Sequence, residues 1–438
     1  MALNVNIGCV ANLFSRQMHF EKAGDVEHGH THSFDHLTLL ASGKLKIVVE
    51  GKESIFNAPQ MIYIKADKMH ELTALEDNLF HKWIEGNVVS QLNKTPDIYV
   101  QVTVPNEFQR VGKFNIGITA GIETTIAPKD WIDGCNRMDL IITTSTFSKD
   151  VLLTTVYNEN EQNTGKLVKQ HKIQSPIEVL FEGVDTSIYN DSAEGLDIDI
   201  KEDFAYLFVG HWLKGDIGQD RKDIGMLIKC FVESFKGEET PPALVLKTSS
   251  ATFSVKERES FRKKIESIVG EIENPPPIYL LFGDLSNEEM NRLYNHSKIK
   301  AMVTLTKGEG FGRPLLEFTM TGKPVIASNW SGHKDFLPMD KAIMLGGKLT
   351  EVHNSAVDTF IIKDSKWFTA NYNEFVEVLK LVIKDYDGFL KKSIQLKDEN
   401  KSKFSLEKMK EKFKSIINPF SSTPQEAKLI LPKLTKIK

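Results

Sequence analysis

Lys307-Gly-Glu-Gly-Phe-Gly-Arg-Pro-Leu-Leu-Glu317 is the stretch on which the reading of this chain turns. It follows an apolar run, Ala301-Met-Val-Thr-Leu305, with the character of a buried strand, and it puts Pro314 where a helix tolerates proline, in the first turn. Strand, glycine-rich turn and helix together aim free backbone N–H groups and the positive end of a helix at an anion. The backbone of Gly310, Phe311 and Gly312 is therefore a candidate cradle for phosphate. Two acids flank it, Glu309 in the turn and Glu317 in the helix, so that one can reach a sugar while the other grips ribose hydroxyls.

Outward from this stretch the grammar is α/β. Apolar runs at 205–210, 243–247, 278–282, 301–305 and 324–328 read as buried parallel strands, and helical segments at 223–235, 255–270 and 287–296 alternate with them. A doubly wound sheet over 196–395 is expected, a nucleotide-binding domain of Rossmann-like type. Upstream, runs at 98–104, 115–119, 140–144 and 177–181 predict a second, abbreviated Rossmann-like domain over 96–195. Residues 1–90 read differently, as short strands at 37–40, 45–50, 61–64 and 79–84 broken by Gly43, Gly51, Asn57 and Pro59, which predicts a small antiparallel barrel. Residues 396–438 read as a C-terminal helix, solvated and amphipathic, with a lysine-rich tail. The expected fold class is thus multi-domain, all-β followed by α/β, with the first α/β domain truncated.

Composition sets the bounds. A chain of 438 residues exceeds what one core supports. No stretch reaches the roughly 20 apolar residues of a membrane span, and a net charge of −4 gives the whole molecule no attraction for nucleic acid. Cys9, Cys135 and Cys230 lie far apart without paired spacing, against a disulfide framework or a cysteine zinc site. The opening residues lack a basic segment before their apolar stretch, so a cytoplasmic, reducing location is expected.

The Glu-x7-Glu pattern with Gly-Phe-Gly after its first acid resembles the retaining GT-B glycosyltransferases, the group 1 type (family 4) that includes sucrose and glycogen synthases. The loop Ser328-Asn-Trp-Ser-Gly332 matches that family's next element, and Phe282-Gly-Asp-Leu-Ser286 matches the one before it, where the family seats the base. Upstream, the family has a Val-Gly-Arg strand end and then a Lys-Gly pair. This chain has Val209-Gly-His211 and then Arg221-Lys-Asp-Ile-Gly225, with His211 in place of the family arginine. The resemblance implies a nucleotide-diphosphate sugar as donor and a hydroxyl acceptor. It implies Glu309 at the sugar, Lys222 and Arg221 at the diphosphate, Glu317 at the ribose and Leu285 at the base; Lys247, just after a strand and before Thr248-Ser249, is a further candidate ligand. Residues 115–148 resemble the acceptor-side domain of one branch, which places Glu123 in a loop facing the cleft, with Ser145 at the end of a strand.

In the N-terminal region His30, His32 and His36 fall within seven residues, and His70 follows on a later strand. Alternate residues of a strand share a face, so these imidazoles are expected to converge, His36 included if the strand runs on. Imidazole suits first-row divalent metals. With Gly43, Pro59 and His70, the pattern resembles the cupins, although His36 stands where that family has glutamate. This implies a barrel holding Zn, Fe, Mn or Ni on His30, His32, His36 and His70, and self-association through the barrel. Two other readings stay open: a non-catalytic protein that binds sugar nucleotides or glycans, and a barrel that isomerises or epimerises sugars.

Overall fold

Along Lys44–Val49 the side chains of Leu45 and Ile47 are buried while their neighbours are half-exposed, the two-residue period of a strand with one face on a core. The computed structural model describes residues 4–10, 13–20, 22–40, 43–58, 60–76, 94–161, 163–250 and 255–421. They form two compact units, Met1–Lys94 and Thr95–Lys438.

Among the described residues the first unit is antiparallel throughout. Its strands are β1 (Asn4–Val10), β2 (Leu13–His19), β3 (Val26–His30), β4 (His36–Leu40), β5 (Lys44–Val49), β6 (Lys52–Asn57), β7 (Gln60–Ile64) and β8 (His70–Ala74). They pair as β1-β2, β3-β8-β5-β6 and β4-β7. Leu45, Ile47, Ile62, Ile64 and Leu72 make the core. The β4-β7 ribbon is apolar on both faces: Leu37 opposes Tyr63 and Leu39 opposes Met61, all four exposed, while Ile62 and Ile64 face inward. The strand expected at 79–84 lies outside the described residues.

The expected single strand carrying His30, His32 and His36 is not what the chain forms. β3 ends at His30, a bulge interrupts its pairing between Glu27 and His30, and His36 opens β4. His32 lies in the connection between them. Asp35 holds that connection by accepting the Ala66 N–H at 2.8 Å and the Tyr63 hydroxyl.

In the second unit, β9 (Ile98–Val102), β10 (Phe114–Thr119), α1 (Lys129–Cys135), β11 (Leu140–Thr143), α2 (Thr146–Thr154), β12 (Tyr157–Asn160), β13 (Leu167–His171) and β14 (Ile177–Val179) come first. The parallel sheet runs β14-β11-β10-β9, with β12-β13 a separate antiparallel hairpin. Next are β15 (Ala205–Val209), α3 (Ile224–Phe235), β16 (Ala243–Lys247), α4 (Val255–Val269), β17 (Ile278–Leu281), α5 (Asn287–Asn295), β18 (Ile299–Val303), α6 (Arg313–Thr319), β19 (Val325–Ser328) and β20 (Ile343–Leu345). The last elements are β21 (Gly347–Glu351), β22 (Lys366–Ala370), α7 (Tyr372–Lys384), α8 (Tyr386–Phe404) and α9 (Leu406–Ser421).

The larger sheet is parallel in the order β17-β16-β15-β18-β19-β20. Strand order therefore reverses between β15 and β18, and the crevice beyond their carboxyl ends is where a doubly wound sheet binds its ligand. The smaller sheet runs in chain order from β9 to β14, with no such reversal among the described residues. Helix α9 is not merely solvated, as the sequence suggested: Phe413, Ile416 and Ile417 pack on Ile116, Leu140 and Ile142 of the smaller sheet, and Phe420 stacks on Phe114 at 4.4 Å. Residues 422–438 lie outside the described residues. No described helix is long and apolar enough to cross a membrane.

Candidate active site at the sheet switch point

Val209 at the end of β15 and Val303 at the end of β18 open onto a small recess, which Lys222, Thr304, Glu309 and Gly312 also line. Four sequence-predicted residues meet here, Arg221, Lys222, Glu309 and Glu123. Lys222 pairs with Glu309, and the Arg221 guanidinium lies 3.4 Å from the other Glu309 oxygen and 2.8 Å from the Gly308 carbonyl. Arg221 also reaches Glu123, on the loop after β10, at 3.3 Å. Two cations are thus balanced by two carboxylates at one point.

Burial sets the electrostatics. The Glu309 side chain is 10% exposed, and desolvation alone would raise its pKa; Lys222 and Arg221 overcome this and hold it down at about 2. Burial pushes the Lys222 ammonium below its usual range, with Glu309 opposing the shift. Charges desolvated in this way act more strongly on an arriving anion than the same charges in water.

The glycines of the motif are required by close approach. A Cβ on Gly308 would lie 1.9 Å from the Glu123 carbonyl oxygen, and one on Gly310 would lie 2.4 Å from that of Ala120. The loop after β10 is therefore pressed onto the loop after β18. Further bonds join the same two halves of this unit: Thr146 N–H to Asp335 at 2.9 Å, Thr125 N–H to the Lys366 carbonyl at 2.9 Å, and Lys366 N–H to the Thr125 hydroxyl at 2.8 Å.

Not every predicted residue presents its side chain to the recess. Phe311 is buried in the core against Phe336, at 4.9 Å between ring centroids, so only its backbone can serve a ligand. The Lys247 ammonium donates to the Gly283 carbonyl at 2.6 Å and so holds the loop ahead of Leu285. Leu285 is half-buried against the second core cluster. Ser145 caps α2 by accepting the Ser148 N–H at 3.1 Å. His211 is exposed and meets Ser249 at 3.2 Å.

Glu317 is buried, with Arg313 at 3.0 Å and the Tyr294 hydroxyl at 3.4 Å. Burial outweighs Arg313 and raises its pKa to about 7. Tyr294, a partner of Glu317, was missed from sequence, as were Asp223 and the second role of Lys307, described below.

In the first unit, His30, His32 and His70 bring one ring nitrogen each to within 4.8 Å of one another. The Nε2 atoms of His30 and His32 are 3.1 Å apart. Nδ1 of His30 faces the His28 carbonyl at 3.0 Å and Nδ1 of His70 faces the Lys68 carbonyl at 2.9 Å. Those carbonyls select, for His30 and His70, the tautomer in which Nδ1 carries the proton and Nε2 the lone pair. Glu27, buried and unnoticed in the sequence, has a carboxylate oxygen 3.9 Å from His30 Nε2. The His36 side chain lies outside the described residues.

No family model matches the chain, and no curated protein matches it either. Among solved structures it is similar to sucrose-phosphate synthase from Thermosynechococcus elongatus, at 13% identity and TM-score 0.51, over 74% of this chain and 73% of that one. It is also similar to a glycosyltransferase from Rickettsia africae, at 15% identity and TM-score 0.48, over 70% of each chain. Anabaena HepE, solved in complex with UDP-glucose, matches at 12% identity and TM-score 0.47, over 70% of this chain and 72% of that one. The structural neighbours are GT-B glycosyltransferases, and at such identities the likeness is one of fold.

Proposed function

We propose that residues 96–195 and 196–395 are the acceptor-side and donor-side domains of a retaining glycosyltransferase, which moves a sugar from a nucleoside diphosphate to a hydroxyl. The observation that carries this reading is the convergence of Arg221, Lys222 and Glu309 at the switch point of a doubly wound sheet, beside a glycine-rich turn. A diphosphate entering there takes over the cations from Glu309 and Glu123, and the freed Glu309 turns to the sugar. The bond from the anomeric carbon to the diphosphate oxygen then breaks, and the acceptor oxygen bonds to that carbon on the same face. The acceptor's proton leaves with the diphosphate. Arg221 and Lys222 stabilise the developing negative charge, commonly the largest catalytic contribution.

UDP is the first probe, because UDP-glucose is bound in one of the similar structures. Calorimetric titration with UDP should show a single site, and Lys222→Met should weaken it by roughly tenfold, one lost charge-assisted contact. UDP-glucose turnover should then be read as UDP release. Binding without turnover of any common nucleotide sugar would favour a binding protein; no binding of any nucleoside diphosphate would sink both readings.

A second reading concerns the N-terminal unit, for which we infer a cupin-like metal-binding barrel over residues 1–90. What supports it is the convergence of the His30, His32 and His70 nitrogens, with tautomers set by backbone carbonyls. Three imidazoles would hold Zn, Fe, Mn or Ni, which would supply Lewis acidity there. Self-association of the barrel belongs to the same reading. Elemental analysis should find one equivalent of metal per chain, lost in His70→Ala; a wild-type protein that takes up none on reloading would remove this reading.

A further inference from the structure

Beside Arg221 and Lys222 lies a second charge pair, fully buried. Lys307 Nζ and Asp223 meet at 2.9 Å, with side chains 1% and 0% exposed. The Tyr372 hydroxyl donates to the same carboxylate oxygen at 2.8 Å, and Lys307 Nζ reaches the Thr369 hydroxyl at 3.3 Å. Such a pair is a poor stabiliser. Desolvating two charges costs more than their attraction returns unless the geometry is good, and apolar residues would fill the same space with less penalty.

Asp223 carries a further cost in its backbone. Its φ of 53° lies in the left-handed region, where glycine sits freely and other residues are uncommon. An aspartate kept there, against both desolvation and strain, calls for a reason outside stability.

The reason lies in what the pair joins. Asp220 and Asp223 bracket Arg221 and Lys222: Asp223 N–H donates to the Asp220 carbonyl at 3.1 Å, and Ile224 N–H to the Asp220 carboxylate at 3.3 Å. Lys307 opens the loop that holds Glu309. Its N–H donates to the Arg221 carbonyl at 2.7 Å and its carbonyl accepts from Phe368 N–H at 2.9 Å. Backbone and side chain of Lys307 therefore both grip the segment that carries the cations.

We propose that Asp223 and Lys307 are positioning residues that set Arg221 and Lys222 at a fixed spacing from Glu309, so that the two cations act on the diphosphate while Glu309 meets the sugar it carries. The proposal rests on the transferase reading of the site. Neither residue touches the donor; each acts through the three that do.

The test uses the full chain with UDP and UDP-glucose, and the variant Asp223→Gly/Lys307→Met. It removes both buried charges and gives the left-handed position to glycine, so the fold should persist with an unchanged or higher melting temperature. UDP should still bind at one site per chain, while turnover per bound site falls at least tenfold and KM moves less than threefold. The same change made in a Lys222→Met background should cost much less, because the pair acts through Lys222. Turnover per UDP site equal to wild type would overturn the proposal. So would loss of the folded state in both this variant and Asp223→Asn/Lys307→Met, which would make the pair a structural strut. A wild-type chain that binds no UDP would instead remove the transferase reading beneath it.

Discussion

Glu309 and Glu317, two acids of one motif, are driven in opposite directions by their surroundings. Glu309 has two cations at hand and stays ionised down to about 2, whereas Glu317 has one cation, Arg313, and the Tyr294 hydroxyl against heavy burial and reaches about 7. The stability consequences are opposite in sign. Glu309's depressed pKa stabilises the fold above its unfolded value of 4.5, and this is lost as pH falls toward 2. Glu317 binds its proton more tightly folded than unfolded, so stability falls as pH rises from 4.5 to 7, by about 3 kcal/mol at most at 1.36 kcal/mol per unit. A carboxylate buried at such a cost to its ionised form fits a ligand-binding role. Glu317→Gln should therefore melt higher than wild type at about pH 8 and no differently at about pH 4, while binding UDP more weakly at pH 8. Wild-type UDP affinity should rise as Glu317 ionises near pH 7, and the Gln variant should lose that rise. A Gln variant with a wild-type profile of affinity against pH would show that Glu317 does not hold the donor.

At the scale of elements, legibility followed burial. β11 and β19 are buried at every residue, so their apolar runs stand out in sequence, as does the continuous strand-turn-helix of 301–319. The β12-β13 hairpin went unread because its strands, Tyr-Asn-Glu-Asn and Leu-Val-Lys-Gln-His, are exposed along nearly their whole length and show no apolar period. It is anchored instead by buried His171, which lies 2.8 Å from Asp133 and 3.1 Å from Glu159. Such a contact spans 38 positions and leaves no local trace. β6 was missed for the same reason, being exposed along most of its length, and a strand at β3 was expected only through its histidines, since Val-Glu-His-Gly-His has no apolar period. In the candidate site, Glu309 and Gly310 were legible because the motif is contiguous. The partnership of Lys307 with Asp223 joins positions 84 apart, and only the reversal of strand order between β15 and β18 brings them together.

For the whole molecule, the decisive contrast is between two kinds of positive charge. The proposed donor site carries its cations covalently, as Arg221 and Lys222, inside Thr95–Lys438. The imidazoles of His30, His32 and His70 belong to Met1–Lys94, where the charge would be that of a metal ion they held. A transferase that neutralises its departing diphosphate with fixed side chains has no need of a divalent metal at that step. Chelation with EDTA followed by dialysis should therefore leave the UDP dissociation constant within about twofold and UDP-glucose turnover unchanged. Any metal of the N-terminal unit should meanwhile be stripped. Loss of turnover on chelation, restored by added divalent ion, would mean that Arg221 and Lys222 do not suffice for the leaving group, and the assignment of that work to them would fall.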